Sequence, residues 1–195
     1  DTLSEIMLDT PEINRIADMV TDYMEGCVRY SLSLDADAVQ FGDDFGTQRA
    51  PIFPPEVWRR FFKPRYERLT SLIRQAGKRV FFHSCGQIGP LLGDLADLGV
   101  SAVWPQLPLF DQRELARRCR DLGMAVYLHP DRGELMQRSG PGDVRAYLDR
   151  LLAAFDPASG GSWLYLEIDP GFRWDNVRTL FEAALSLRQK TRKEG

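Results

Sequence analysis

The chain of 195 residues has little histidine and little cysteine, two of the first and three of the second. Three cysteines, Cys27, Cys85 and Cys119, are an odd number without the spacing of a disulfide framework. That excludes a small disulfide scaffold and points to a reducing, cytoplasmic setting. The chain has no GxGxxG turn and no P-loop, which disfavours nucleotide binding. It has no strong charge of either sign. A net charge of -3 gives no electrostatic reason to expect nucleic acid or an anionic membrane as partner. No apolar run approaches the roughly eighteen residues of a membrane span. The opening residues, Asp1-Thr2-Leu3-Ser4-Glu5, do not have the pattern of a secretory leader. The first residue is not methionine, so the expectation is a piece of a longer protein.

What is present is an ordinary globular composition, 44% hydrophobic and 27% charged, in a chain long enough for one full core. Strand-like and helix-like segments alternate. Thr10-Pro11-Glu12 opens a helix with a capping threonine, a proline in the first turn and an acid facing the dipole. Ile13, Ile16, Ala17, Val20, Tyr23, Met24 and Cys27 then recur at helical spacing and read as its inner face. Strands are expected at Ala38–Phe41, Val80–Phe82, Ala102–Trp104, Ala125–Leu128 and Trp163–Leu166. Helices are expected from Pro54 to near Gly77, from Ile88 to Leu98, from Asp111 to Gly123, from Pro141 through Leu152, and from Asp175, with Val177, Leu180, Phe181 and Leu185 inward. Five strands, each followed by a helix, imply a parallel α/β sheet with right-handed crossovers. We see no internal boundary, so 1–195 reads as one domain, with a charged, flexible tail over 188–195. From pattern alone an open doubly wound sheet is the simpler architecture; part of a (β/α)8 barrel is the other.

Both histidines follow apolar runs. His83-Ser84-Cys85-Gly86 comes after Arg79-Val80-Phe81-Phe82, and His129 after Ala125-Val126-Tyr127-Leu128. Strand ends are where α/β proteins place their active sites. An imidazole and a thiol two residues apart can face one pocket, and both are zinc ligands. A third ligand could come from other strand ends: Glu167 or Asp169, His129 or Asp131, or Asp44. Cys27 and Cys119 lie on helices and read as packing residues. Gly42-Asp43-Asp44-Phe45-Gly46 offers two acids for metal or substrate, although aspartate and glycine also suit a plain turn. Gln106, after the third strand, could hydrogen-bond a ligand. Arg117, Arg118 and Arg120 read as a solvated helix face.

The residues Gly42-Asp43-Asp44-Phe45-Gly46, Pro54-Pro55-Glu56-Val57-Trp58 through Pro64-Arg65, His83-Ser84-Cys85-Gly86, Pro105-Gln106, Gly160-Gly161 and Asp175-Asn176-Val177 together resemble the uroporphyrinogen decarboxylase superfamily. The likeness runs from about Thr10 to Leu187 and is closer to the cobamide-dependent methyltransferase branch than to the decarboxylases. It implies a (β/α)8 barrel, of which this chain would be the C-terminal portion with the first strands missing. It implies zinc held by His83, Cys85 and a later cysteine. Tyr165–Pro170, where that cysteine would fall, offers Glu167, with Asp169 second. The expected site is therefore His83, Cys85 and Glu167 as metal ligands, Asp44, His129 and Asp131 as catalytic groups, and Asp43 and Gln106 as substrate contacts. The resemblance implies methyl transfer between a small methyl donor, or a thiol acceptor, and a corrinoid (cobalamin) on a separate carrier protein. A carboxylate in the ligand set is a harder donor than a second thiolate, which suits a Lewis acid acting on an ether-like methyl donor. An oligomer is compatible with this picture. The runner-up is decarboxylation of the uroporphyrinogen type. Its late catalytic histidine would fall near Leu166-Glu167, where there is none. A non-catalytic barrel fragment that binds a partner is the third reading.

Overall fold

The computed structural model describes the backbone of residues 1–191 and the side chains to 186. Two helices lead, α1 (Thr2–Leu8) and α2 (Pro11–Ser33). Then follow β1 (Ala38–Gly42), α3 (Pro55–Phe61), α4 (Lys63–Gln75), β2 (Arg79–Ser84), α5 (Leu92–Asp97), β3 (Val100–Pro105), α6 (Gln112–Asp121), β4 (Ala125–Leu128), α7 (Pro141–Phe155), β5 (Ser162–Leu164) and α8 (Trp174–Thr191). The strands are parallel and form one sheet in the order β1-β2-β3-β4-β5. This order lacks the reversal of a doubly wound sheet and is that of neighbouring strands in a (β/α)8 barrel. The preference drawn from pattern alone is thereby overturned and the architecture implied by the resemblance is the observed one.

Contacts gather into two compact units, Asp1–Val103 with Leu122–Met124, and Trp104–Asp121 with Ala125–Gly195. In the first unit, Val80, Phe82, Leu91, Leu92, Leu95, Leu98, Val100, Ala102 and Val103 are buried around the strands. In the second, Val126, Leu128, Val144, Leu148 and Leu151 form the corresponding core, with Val177 and Leu180 from α8.

Several local expectations needed correction. The stripe of α2 that is buried runs through Ile13, Thr21 and Val28, while Ile16, Val20, Tyr23 and Cys27 are exposed. The helix carries two apolar stripes, and packing selects the one facing α4. There Arg65 pairs with Asp18, and Arg68 with Asp22 and Glu25. Thr21 can be buried because its hydroxyl donates to the Ala17 carbonyl at 2.7 Å. The Thr10 side chain does not cap α2; it donates to Glu5 Oε2 at 2.8 Å. The helix expected from Pro54 to Gly77 is two helices that meet at Phe62. Pro64 has no amide hydrogen to continue the ladder there. Phe181 and Leu185 of α8, expected inward, are 39% and 58% exposed. The helix carries the backbone through Thr191, and the rest of the expected tail, 192–195, lies outside the described residues.

Candidate metal centre and a histidine–glutamate pair

In the first unit, the chain leaving β1 and the chain leaving β2 are locked together. β1 pairs with β2 in register, so Gly42 stands beside His83. Past the strands the contact becomes backbone on backbone. Gly86 has φ +79°, and a Cβ placed on it would stand 2.1 Å from the carbonyl carbon and oxygen of Gly46. A Cβ on Gly46 would stand 2.6 Å from the Gln87 nitrogen. Only glycine permits this approach and this conformation. The Gln87 amide donates to the Thr47 carbonyl at 2.7 Å.

Phe45 anchors the first of these loops. It is 4% exposed and lies edge-on to Trp58, Phe62 and Tyr66, and stacked on Phe82. Its amide donates to Ser84 Oγ at 3.0 Å, and the same hydroxyl donates to the Cys85 carbonyl at 3.1 Å. Ser84 is wholly buried, and these two bonds satisfy it.

The result is a cluster of three side chains that could together hold a metal ion. Asp44, His83 and Cys85 each offer a ligand atom within 4.8 Å of the others. Cys85 Sγ lies 3.4 Å from His83 Nε2, which lies 3.7 Å from Asp44 Oδ1. The Cys85 amide donates to Asp44 Oδ1 at 2.8 Å and so holds the carboxylate in place. Asp43 turns elsewhere. Its Oδ2 accepts from the Tyr66 hydroxyl at 2.8 Å. Burial of this carboxyl raises its pKa above the usual aspartate value and outweighs the Tyr66 bond, which lowers it; the Asp44 charge also raises it. Burial likewise raises the Tyr66 pKa well above that of a free phenol, and the Asp43 charge adds to this.

The second unit gathers the other expected residues. His129, after β4, is 8% exposed among Trp104, Tyr127 and Tyr165. Its Nδ1 accepts from Trp104 Nε1 at 3.1 Å, and its Nε2 stands 3.5 Å from Glu167 Oε2. Arg132 binds Asp169 and reaches Glu167 Oε1 at 3.9 Å. Glu167 thus stands beside His129, while within the first unit Asp44 is a carboxylate beside His83 and Cys85. The Asp131 carboxylate serves the backbone, accepting from the amides of Gly133 at 2.9 Å and Leu135 at 3.2 Å. Gln106 is half-buried just past β3, where its carbonyl accepts from the Leu109 amide at 3.1 Å. Sequence reasoning did not single out Phe45, Ser84, Tyr66 or Trp104. Only the glycines flanking Asp43-Asp44 and following Cys85 hinted at the loop contact.

Comparison with known proteins adds three findings. The family model described as uroporphyrinogen decarboxylase (URO-D) matches residues 1–156. No curated protein matches the chain. Among solved structures, a methyltransferase from Methanosarcina mazei is similar with TM-score 0.72 and 16% identity, over 96% of this chain and 53% of that one. A dihydropteroate synthase from Xanthomonas albilineans, solved with 4-aminobenzoic acid, is similar with TM-score 0.54 and 21% identity, over 84% and 62%. One from Stenotrophomonas maltophilia has TM-score 0.56 and 21% identity, over 86% and 65%. The chain therefore spans about half to two thirds of the length of these structures. At such identities the likeness shows the fold, that of part of a (β/α)8 barrel. The family match covers most of the chain, and on that ground it belongs to the uroporphyrinogen decarboxylase (URO-D) family.

Proposed function

We propose that the chain carries the metal site of a zinc-assisted methyltransferase. Methyl would pass between a small methylated substrate, or a thiol acceptor, and a corrinoid on a separate cytoplasmic carrier protein. The observation that carries this reading is the approach of Asp44, His83 and Cys85. Imidazole nitrogen, thiolate sulfur and carboxylate oxygen are all zinc donors, and a catalytic zinc keeps three protein ligands with a fourth position open. The three side chains fit the ion, and Asp44 is the carboxylate ligand in this reading. Bound there, zinc would supply Lewis acidity toward an ether-like donor or a thiol.

The chain's own residues prepare the site. The Cys85 amide holds one oxygen of Asp44, and the interlocked glycines fix Asp44 and Cys85 relative to each other. The hydrogen bond from Tyr66 keeps Asp43 off the cluster and leaves it to contact substrate. The fold is shared with a methyltransferase and so accommodates this reaction. The carboxylate of Asp44 would also repel the carboxylates of a decarboxylase's polycarboxylate substrate in the absence of a metal.

The test is zinc uptake by the reduced chain, measured by competition with a chromophoric chelator. One zinc per chain is expected, with affinity falling at least ~10-fold in His83→Ala and in Asp44→Ala, the range known for altered metal shells. Wild-type affinity in His83→Ala would remove the site. No uptake at all would favour metal-free decarboxylation.

A further inference from the structure

We infer that Trp104 is a positioning residue that fixes the proton of His129 on Nε2 and thereby aims it at Glu167. An indole N–H can only donate, and Trp104 Nε1 donates to His129 Nδ1 at 3.1 Å. The Nδ1 atom must therefore be the acceptor. In a neutral imidazole the proton then sits on Nε2, the nitrogen 3.5 Å from Glu167 Oε2. Protonating Nδ1 would set two donors against each other, so the indole also opposes the imidazolium.

The partner atom calls for such a proton. Glu167 Oε2 is buried and makes no hydrogen bond among the described residues. A buried acceptor without a donor is costly, and the His129 N–H is poised just beyond bonding distance. Acid–base pairs often stand slightly long without a ligand and tighten when one binds. The rings around His129 hold this geometry. Trp104 lies 4.6 Å from Tyr165 and 5.8 Å from Tyr127, centroid to centroid, and Tyr165 stands edge-on to His129 at 5.0 Å. The order of action is the reverse of a serine-protease triad, where a carboxylate orients a histidine. Here an indole orients a histidine, and the histidine orients a carboxylate. His129 is the donor, not the base. Glu167, with Oε2 turned inward, meets a ligand through Oε1, beside Arg132. The inference concerns the second unit alone and does not rest on the zinc reading.

The test is a long-range 1H–15N correlation spectrum of the full chain labelled with 15N-histidine at neutral pH. Only two histidines are present, and a His83→Ala sample assigns them. His129 should appear as a single neutral form with a protonated Nε2 and a bare, hydrogen-bonded Nδ1. Trp104→Phe keeps a ring in the stack and removes the donor; its His129 should become a mixture of tautomers or titrate into the imidazolium. Glu167→Gln should keep the Nε2–H form. A wild-type His129 protonated on Nδ1 would overturn the inference without any variant. So would a folded Trp104→Phe protein with an unchanged His129 pattern.

Discussion

Replacing Gly86 with alanine should dismantle the proposed metal site without altering a ligand. The new Cβ would meet the Gly46 carbonyl at 2.1 Å, where ordinary contact begins at 3.4 Å. The two loops must therefore separate by about 1.3 Å. Metal–ligand distances tolerate only about 0.2 Å, and Asp44 lies on one of these loops while Cys85 lies on the other. The backbone adds a second cost. Gly86 has φ +79°, a left-handed conformation that costs a side-chain-bearing residue roughly 1–2 kcal/mol. Overpacking of this kind costs a further ~1–3 kcal/mol. The expected loss is about 2–5 kcal/mol of stability by urea unfolding, together with at least ~10-fold weaker zinc binding. Gly93→Ala is the control. Gly93 lies in α5, and a Cβ there meets nothing within 4 Å, so stability should be unchanged or slightly raised. Wild-type stability and zinc affinity in Gly86→Ala would refute the interlocked-loop account.

Two further outcomes follow from groups away from the site. Asp94 of α5 is nearly buried and binds both Arg59 and Lys63. Burial pushes its pKa up, but the hydrogen bonds from Arg59 and Lys63 outweigh that and hold it below 3.8. A lowered folded-state pKa contributes stability above the unfolded value and loses it as pH falls through the folded value. Wild-type stability should therefore fall on acidification below about pH 3.9, and Asp94→Asn should start less stable at pH 7 and lose less on acidification. Equal acid slopes for the two proteins would contradict this. Among the thiols, burial pushes Cys119 to a pKa of about 11, whereas Cys27 is exposed. A thiolate-selective reagent at pH 8 should label Cys27 fast and Cys119 only on unfolding, and zinc should protect Cys85. Rapid labelling of Cys119 in the folded chain would be the contrary result.

Much of this was legible in the sequence, for a physical reason. Strand–helix alternation leaves a periodic trace, and scarce side chains such as His83, Cys85 and His129 stand out where apolar runs end. The parts that were hidden depend on tertiary approach. Phe45 meets Ser84 across 39 positions, Asp44 meets the Cys85 amide across 41, and Trp104 meets His129 across 25. Nothing local in the chain marks those pairs. The α2 face was misread for a related reason. A helix with apolar residues on two stripes has two possible inner faces, and the choice between them is made by packing against α4, whose Arg65 and Arg68 pair with Asp18, Asp22 and Glu25. Strand-end position left the third metal ligand open among Asp44, Glu167 and others, and the resemblance implied Glu167; the loop contact brings Asp44 to the His83–Cys85 pair.

The central claim is that His83, Cys85 and Asp44 bind one zinc ion. X-ray absorption at the zinc edge of the reduced, zinc-loaded chain tests it most directly. The account predicts one sulfur at about 2.3 Å with the remaining ligands nitrogen and oxygen at about 2.0–2.2 Å, and loss of the sulfur shell in Cys85→Ser. A zinc shell without sulfur in the wild-type chain, or one unchanged in Cys85→Ser, would contradict it.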